Sequence, residues 1–171
     1  MPSATPERDL GEAGLNDALE RLRQRIEDPA AGNPIVSLAE TLEWCYTLEE
    51  HHVKRLGRAA FEQQRAASAE GETEAGLIYA RGLFTHSLIA AGQLVYTPPL
   101  MTRGTTGGRR FGSVMMASGA TSTYTWKALA DLPAPGKPEK HGRDVKYKRR
   151  VENQRLLPPV EAAVKFIRGV V

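Results

Sequence analysis

The chain is poor in the features that staple, anchor or metallate a small protein. It has one cysteine, Cys45, among 171 residues, so no disulfide can close within it. Aromatic residues make up only 6%, and no apolar run approaches the ~20 residues that a membrane-spanning helix needs. The first residues are polar and lack the apolar core of a signal peptide, which predicts a cytoplasmic protein with no membrane partner. The Gly/Thr-rich stretch 102–112 lacks the Lys-Ser/Thr pair of a phosphate-binding P-loop. No Ser/His/Asp order, paired-carboxylate pattern or repeated metal-ligand spacing stands out, so neither a metal nor a cofactor is expected. Cys45, set among Leu42, Trp44, Tyr46 and Leu48, reads as a small buried hydrophobe rather than a nucleophile.

What is present fits one globular domain. Apolar residues make up 41% and charged residues 25%, enough for a proper core. The net charge of +3 is unevenly spread. Through residue 75 acidic residues outnumber basic ones, fifteen to eight. From Arg81 onward the chain is basic, with Arg103, Arg109, Arg110, Arg143, Lys146, Lys148, Arg149 and Arg150 among its cations. A basic half of this kind points to a polyanionic partner.

Hydrophobic spacing predicts a mainly α fold: a bundle of three to four helices with a small β-hairpin before the C-terminal helix. Residues 1–14 read as a flexible arm, 15–92 as the helical core, and 93–171 as hairpin, basic linker and a last helix packed on the bundle. Leu15, Leu19, Leu22 and Ile26 mark one helix face. A second helix is expected from Ser37, with Glu40 completing a capping box. Its stripe of Leu38, Leu42, Cys45, Leu48/Glu49, His52 and Leu56 runs on toward residue 69, with a kink at Gly57. Gly71 reads as a break and Thr73 as the cap of a third helix, whose stripe is Leu77, Ala80, Phe84, Leu88 and Ala91. That helix is apolar on more than one side and must be central or at a subunit interface. Residues 93–97 suggest a strand, and 111–117 and 121–129 suggest a hairpin holding Tyr124 and Trp126. Residues 144–155 read as a charged stretch with a short helix, and Pro158-Pro159 open the last helix.

The sharpest chemical feature is Arg81-Gly82-Leu83-Phe84-Thr85-His86 on the third helix. A guanidinium can hold a phosphate, and an imidazole can move a proton near neutral pH. Five residues at 100° each set the two Cα–Cβ vectors about 140° apart, so Arg81 must reach round on its long stem. The spacing resembles the HEPN superfamily, helical-bundle proteins with an Arg-x4-6-His signature late in the helical core. The resemblance spans residues 15–92. It implies an RNA-directed protein, a metal-independent endoribonuclease of a defence or toxin system, working as a homodimer. By that resemblance Arg81 would bind the scissile phosphate, and His86 would be acid or base for attack by the 2′-OH. An acidic inhibitor protein is a further implied partner. Members silenced by nucleotidyl transfer carry a tyrosine two places after the histidine. Here that place is Leu88, so such silencing is not implied.

A plainer reading pairs Arg81 with Glu43, Glu49 or Glu50 across the bundle. Elsewhere, Glu49 and His52 have a spacing that one carboxylate–imidazole metal ligand pair can use, though no second such pair exists. His52 is also placed where it could approach His86 across the bundle. Lys146-Tyr147-Lys148-Arg149-Arg150 interleaves an aromatic with cations, as single-strand binders do. With Arg109 and Arg110 these cations are the candidate nucleic-acid contacts. They also define a rival function: a non-catalytic helical dimerisation module with a basic tail that docks nucleic acid or protein. A purely structural assembly role is a third reading.

Overall fold

The computed structural model describes residues 6–86, 94–97, 101–103, 115–117, 123–132, 139 and 141–170. These form α1 (Pro6–Glu27), α2 (Pro34–Leu56), α3 (Arg58–Ala66), α4 (Ala69–His86), β1 (Leu94–Thr97), β2 (Met101–Arg103), β3 (Met115–Ala117), β4 (Thr123–Trp126), α5 (Arg143–Arg150) and α6 (Leu157–Gly169). The fold is mainly helical, with a small β element ahead of α6. None of the described helices is long and apolar enough to cross a membrane.

α1 begins nine residues earlier than the apolar stripe suggests. Residues 6–14 are not a loose arm but the first turns of this helix. Gly11 and Gly14 explain why, for they let α1 close onto α2. A Cβ on Gly11 would lie 2.8 Å from Leu48, and one on Gly14 only 2.4 Å from the Trp44 ring. The expected stripe of Leu15, Leu19 and Leu22 is buried behind them.

α2 starts at Pro34, not Ser37. The Asn33 side chain accepts a hydrogen bond from the Ile35 N–H (2.9 Å), and Pro34 takes the first turn, where no N–H is needed. Ser37 is therefore buried inside the helix, where Arg25 donates to its hydroxyl at 2.7 Å. At Gly57, with φ of +83°, the chain turns a corner rather than kinking, and α3 is a separate helix. Ser68, not Thr73, caps α4: its Oγ accepts from the Gly71 N–H at 3.0 Å. Thr73 is buried within α4 and donates back to the Ala69 carbonyl at 2.8 Å.

α4 is the central element. Residues 73–80 of this helix are all buried, because α2, α3, α5 and α6 pack round it. Its all-round apolar character thus needs no second subunit to explain it. The outer parts of its expected stripe, Leu88 and Ala91, lie outside the described residues, as does the side chain of Phe84.

The strands pair otherwise than expected. β4 pairs antiparallel with β1, Leu94 facing Trp126 and Tyr96 facing Tyr124, while β3 pairs with β2, Met101 facing Ala117. The pairs are nested in sequence, so 111–117 and 121–129 do not form a hairpin with each other. Leu94 and Trp126 are both buried, so one anchored pair brings the two ends of the segment together. On the other edge of β4, residues 153–156 run alongside. Trp126 N–H donates to Gln154 O (2.9 Å), and Leu156 N–H donates to Tyr124 O (2.8 Å). The Trp126 indole donates to Leu156 O at 3.2 Å, and Tyr147 of α5 donates its hydroxyl to Lys127 O at 2.8 Å. These bonds tie the β element and α5 to the bundle.

Candidate functional site

Arg81 and His86 lie on one uninterrupted helix, in the last two turns of α4. Arg81 points toward α2. Its Nε is 3.0 Å and its Nη2 2.8 Å from Glu43 Oε2, with Nη2 also 3.0 Å from Oε1. The guanidinium carbon also lies over the Tyr46 ring, 3.8 Å from its centroid. Of the three carboxylates named as partners, Glu43 takes the role. Glu50 turns to Arg58 at 3.5 Å, and Glu49 is buried elsewhere. The Arg81 side chain is 19% exposed and Glu43 57% exposed, so the pair is open to water on the Glu43 side. The side chain of His86 lies outside the described residues, and with it any approach to His52.

The candidate nucleic-acid contacts divide. Arg109 and Arg110 lie outside the described residues. Lys146, Lys148, Arg149 and Arg150 all stand on α5, whose inner face is the buried Tyr147. Arg149 and Arg150 both reach Glu72 on the first turn of α4, Arg150 at 2.8 Å. Burial works against charge on Glu72, but the two guanidinium groups outweigh it and hold its carboxyl below the usual range. Lys148, Arg149 and Arg150 remain exposed to solvent.

A buried charge cluster escaped the sequence reading. Arg65 of α3 is fully buried. It lies 2.6 Å from Glu49 of α2, 2.9 Å from Glu74 of α4 and 2.9 Å from Glu62. Arg143 of α5 adds a contact to Glu49 at 3.2 Å. Four helices are thus cross-linked through one buried guanidinium and its neighbours. Burial lowers the affinity of Arg65 for its proton, but the carboxylates around it more than restore that affinity. The signal was present, since Glu49 sits on the α2 stripe between Cys45 and His52, and Arg65 lies four residues after Phe61. A charge on an apolar stripe must find a counter-charge inside.

Arg65 fills the space between Glu49 and Glu74 where a cation would otherwise sit. Among the described residues no group of three or more His, Cys, Asp or Glu side chains could hold a metal. His52, 1% exposed, stacks on the Phe61 ring with centroids 6.3 Å apart. Cys45 is buried as expected, and burial pushes its thiol up, away from nucleophilic use.

Two buried groups set a pH dependence. Burial, with Glu49 nearby, pushes Glu74 up to about 8 against the pull of Arg65 and Arg143. Burial, with Arg55, Arg8 and His51, pushes His52 down to about 4. Between the ordinary carboxylate value and about 8, the fold keeps a proton on Glu74 that the unfolded chain has released, so stability falls as pH rises. Between about 4 and the ordinary imidazole value, the unfolded chain holds a proton that the fold denies His52, so stability falls as pH drops. The two slopes cancel in mildly acidic solution, and Glu74 acts alone above neutrality. Urea unfolding should show a plateau near pH 5–6 and a loss on the order of 1–2 kcal/mol by pH 8. Glu74→Gln, an amide in place of the protonated acid, should abolish that loss. A wild-type curve flat across this range would contradict the assignment.

Compared with known proteins, the chain matches no family model, no curated protein and no solved structure.

Proposed function

We propose that the chain is a HEPN-like, RNA-directed protein in which Arg81 receives a phosphate and His86 carries the proton of a metal-independent cleavage. The observation that supports this reading is the fork at Arg81. Its Nε and Nη2 address two oxygens of one carboxylate, which is the geometry two phosphate oxygens would take. Glu43 is solvated, and exposed ion pairs are worth at most about 1 kcal/mol, so a phosphodiester can displace it. Tyr46 keeps the guanidinium plane oriented while the anion exchanges. His86, five residues further along the same helix, serves the 2′-OH or the leaving oxygen as base or acid. In this reading the protein is cytoplasmic and dimeric, two copies of the motif meet at one cleft, and an acidic protein is its natural inhibitor.

Incubation with total RNA in EDTA tests the reading. Wild type should cleave and leave cyclic phosphate ends, and His86→Ala and Arg81→Ala should each slow cleavage by about 10²-fold or more. Glu43→Gln, which removes the competing charge, should tighten RNA binding several-fold. Cleavage that persists in His86→Ala, or that depends on a divalent ion, would refute the proposal.

The exposed cations of α5 favour a second reading, a non-catalytic docking module. Its mark would be RNA affinity that survives loss of Arg81 and His86 but falls with Lys148→Ala and Arg149→Ala, most steeply at low salt.

A further inference from the structure

The β element carries a feature that the Arg81–His86 chemistry does not use. Side chains alternate along a strand, so Leu94, Tyr96, Tyr124 and Trp126 share one face of the β1–β4 pair. Leu94 and Trp126 are sealed in the core. One step outward, Tyr96 and Tyr124 face each other with ring centroids 5.1 Å apart and planes tilted by 45°. Tyr96 is 50% exposed, although tyrosine rings at the rim of a core usually cover their apolar faces. The structure thus brings the Tyr96 ring to solvent beside the half-buried Tyr124 ring, on a support anchored by Leu94 and Trp126.

The charges around this pair select the partner. Residues 94–97, 123–127 and 153–156 contain no carboxylate, and they contribute Lys127 and the exposed Arg155. Arg155 is bridged to Thr125 of β4. α5 abuts the same element through the Trp126 and Tyr147 rings, 6.4 Å apart, and brings the exposed Lys148, Arg149 and Arg150. Glu72 already pairs with Arg149 and Arg150, so the surplus of positive charge is carried by Lys127, Lys148 and Arg155. Aromatic faces beside such a surplus suit a polyanion whose own units are flat rings. A duplex hides those rings in its stack, whereas a single strand offers them.

We propose that Tyr96 and Tyr124 form a stacking platform for the bases of single-stranded RNA, with the α5 cations and Arg155 tracking its phosphates. The proposal rests on the RNA-directed reading and names the surface that would hold the strand. It does not require cleavage. A base inserted against Tyr96 buries ring area on both partners and depends little on which base it is, so the preference is for strandedness rather than sequence.

Fluorescence anisotropy with a labelled oligoadenylate, and with a duplex of equal length, tests it on the full chain. Tyr96→Ala and Tyr124→Ala should each weaken single-strand binding about tenfold, and Tyr→Phe at either site should bind like wild type, because the ring and not the hydroxyl stacks. The salt dependence should be unchanged in the tyrosine variants and shallower in Lys148→Ala and Arg149→Ala. The platform is overturned if wild type does not bind the oligoadenylate, or if the alanine variants bind it normally. It is also overturned if they lose single strand and duplex alike, or change the mass in solution while keeping RNA affinity, which would make the tyrosines a self-association surface. The two failures separate cleanly. Cleavage by wild type with normal binding by the alanine variants removes the platform alone, and tyrosine-dependent binding without any cleavage removes the nuclease alone.

Discussion

Arg65→Ala should destabilise the protein by about 3–5 kcal/mol at neutral pH, the cost of leaving a buried carboxylate without its counter-charge. Glu49 and Glu74 are each at most 1% exposed, and both look to this one guanidinium. The carboxylates are not equally stranded by its loss. Glu49 keeps Arg143 at 3.2 Å. Glu74 has its close contact with Arg65 alone among the described ion pairs, and burial already keeps it protonated at neutral pH. The defect should therefore grow as pH rises past about 8, where Glu74 ionises beside Arg65 in the wild type but has no counter-charge in the variant. Arg65→Lys should fall between the two, because a compact ammonium cannot span Glu49, Glu62 and Glu74 as a planar fork does. Arg65→Met combined with Glu74→Leu should recover most of the lost stability, since apolar pairs of similar volume replace buried ion pairs at little cost. Urea denaturation of the four proteins at two pH values decides it. A loss below about 1 kcal/mol for Arg65→Ala, or one that does not vary with pH, would mean that the cluster is wetter than its burial implies.

Where local spacing determined the outcome, the sequence was a good guide. The stripes on α1 and α2 lie inside, with only their ends Ile26 and Leu56 half-buried, as their three- and four-residue recurrences require. The central place of α4 follows from its lack of a polar face. Where two local signals competed, the stronger chemistry won. Asn33-Pro34 offers a side-chain acceptor and a residue with no N–H to satisfy, and so displaces the Ser37–Glu40 box three residues on. Residues 6–14 failed as a disordered arm because glycine has two physical meanings. Read alone, Gly11 and Gly14 weaken a helix. Set against Leu48 and Trp44, they are the places where two helices touch. Strand pairing is a property of distant partners, so β1 and β4 could each be seen locally but not matched.

The candidate site was legible in the same uneven way. Arg81 could be matched to a set of three carboxylates, and Glu43 was among them. Which of the three it takes depends on helix rotation, and that rotation is set partly by Glu49 turning inward to Arg65. Arg65 itself sits in a run of polar residues, Glu62-Gln63-Gln64-Arg65, with little to mark it as interior. Only its distance from Phe61 gives a hint. A buried cation is the hardest element to read from a sequence, because its hydrophobicity argues for the surface and its partners lie on three other helices.

The same substitution at two positions of α4 should move stability in opposite directions. Gly71 lies in the first turn, directly over the end of α3. A Cβ there would sit 2.2 Å from the Arg65 carbonyl oxygen and 2.8 Å from its Cα. These are backbone atoms, so no rotamer change relieves the contact, and α3 must shift. That shift draws the Arg65 guanidinium away from Glu74, so the steric cost and the ionic cost arise together. Gly71→Ala gains about 1 kcal/mol of helix propensity, but overpacking of this kind costs about 1–3 kcal/mol and the weakened ion pair adds to it. A net loss of about 2–4 kcal/mol is expected. At Gly82 a Cβ would meet nothing within 4 Å. Gly82→Ala should therefore raise stability by about 0.5–1 kcal/mol through propensity alone. A double-mutant cycle carries the argument further. If Gly71→Ala acts through Arg65, its cost should be smaller in the Arg65→Met/Glu74→Leu background, where no ion pair remains to be pulled apart. Equal costs in both backgrounds would confine the effect to sterics at the corner between α3 and α4, and a neutral or stabilising Gly71→Ala would show that this corner is looser than the close approach requires.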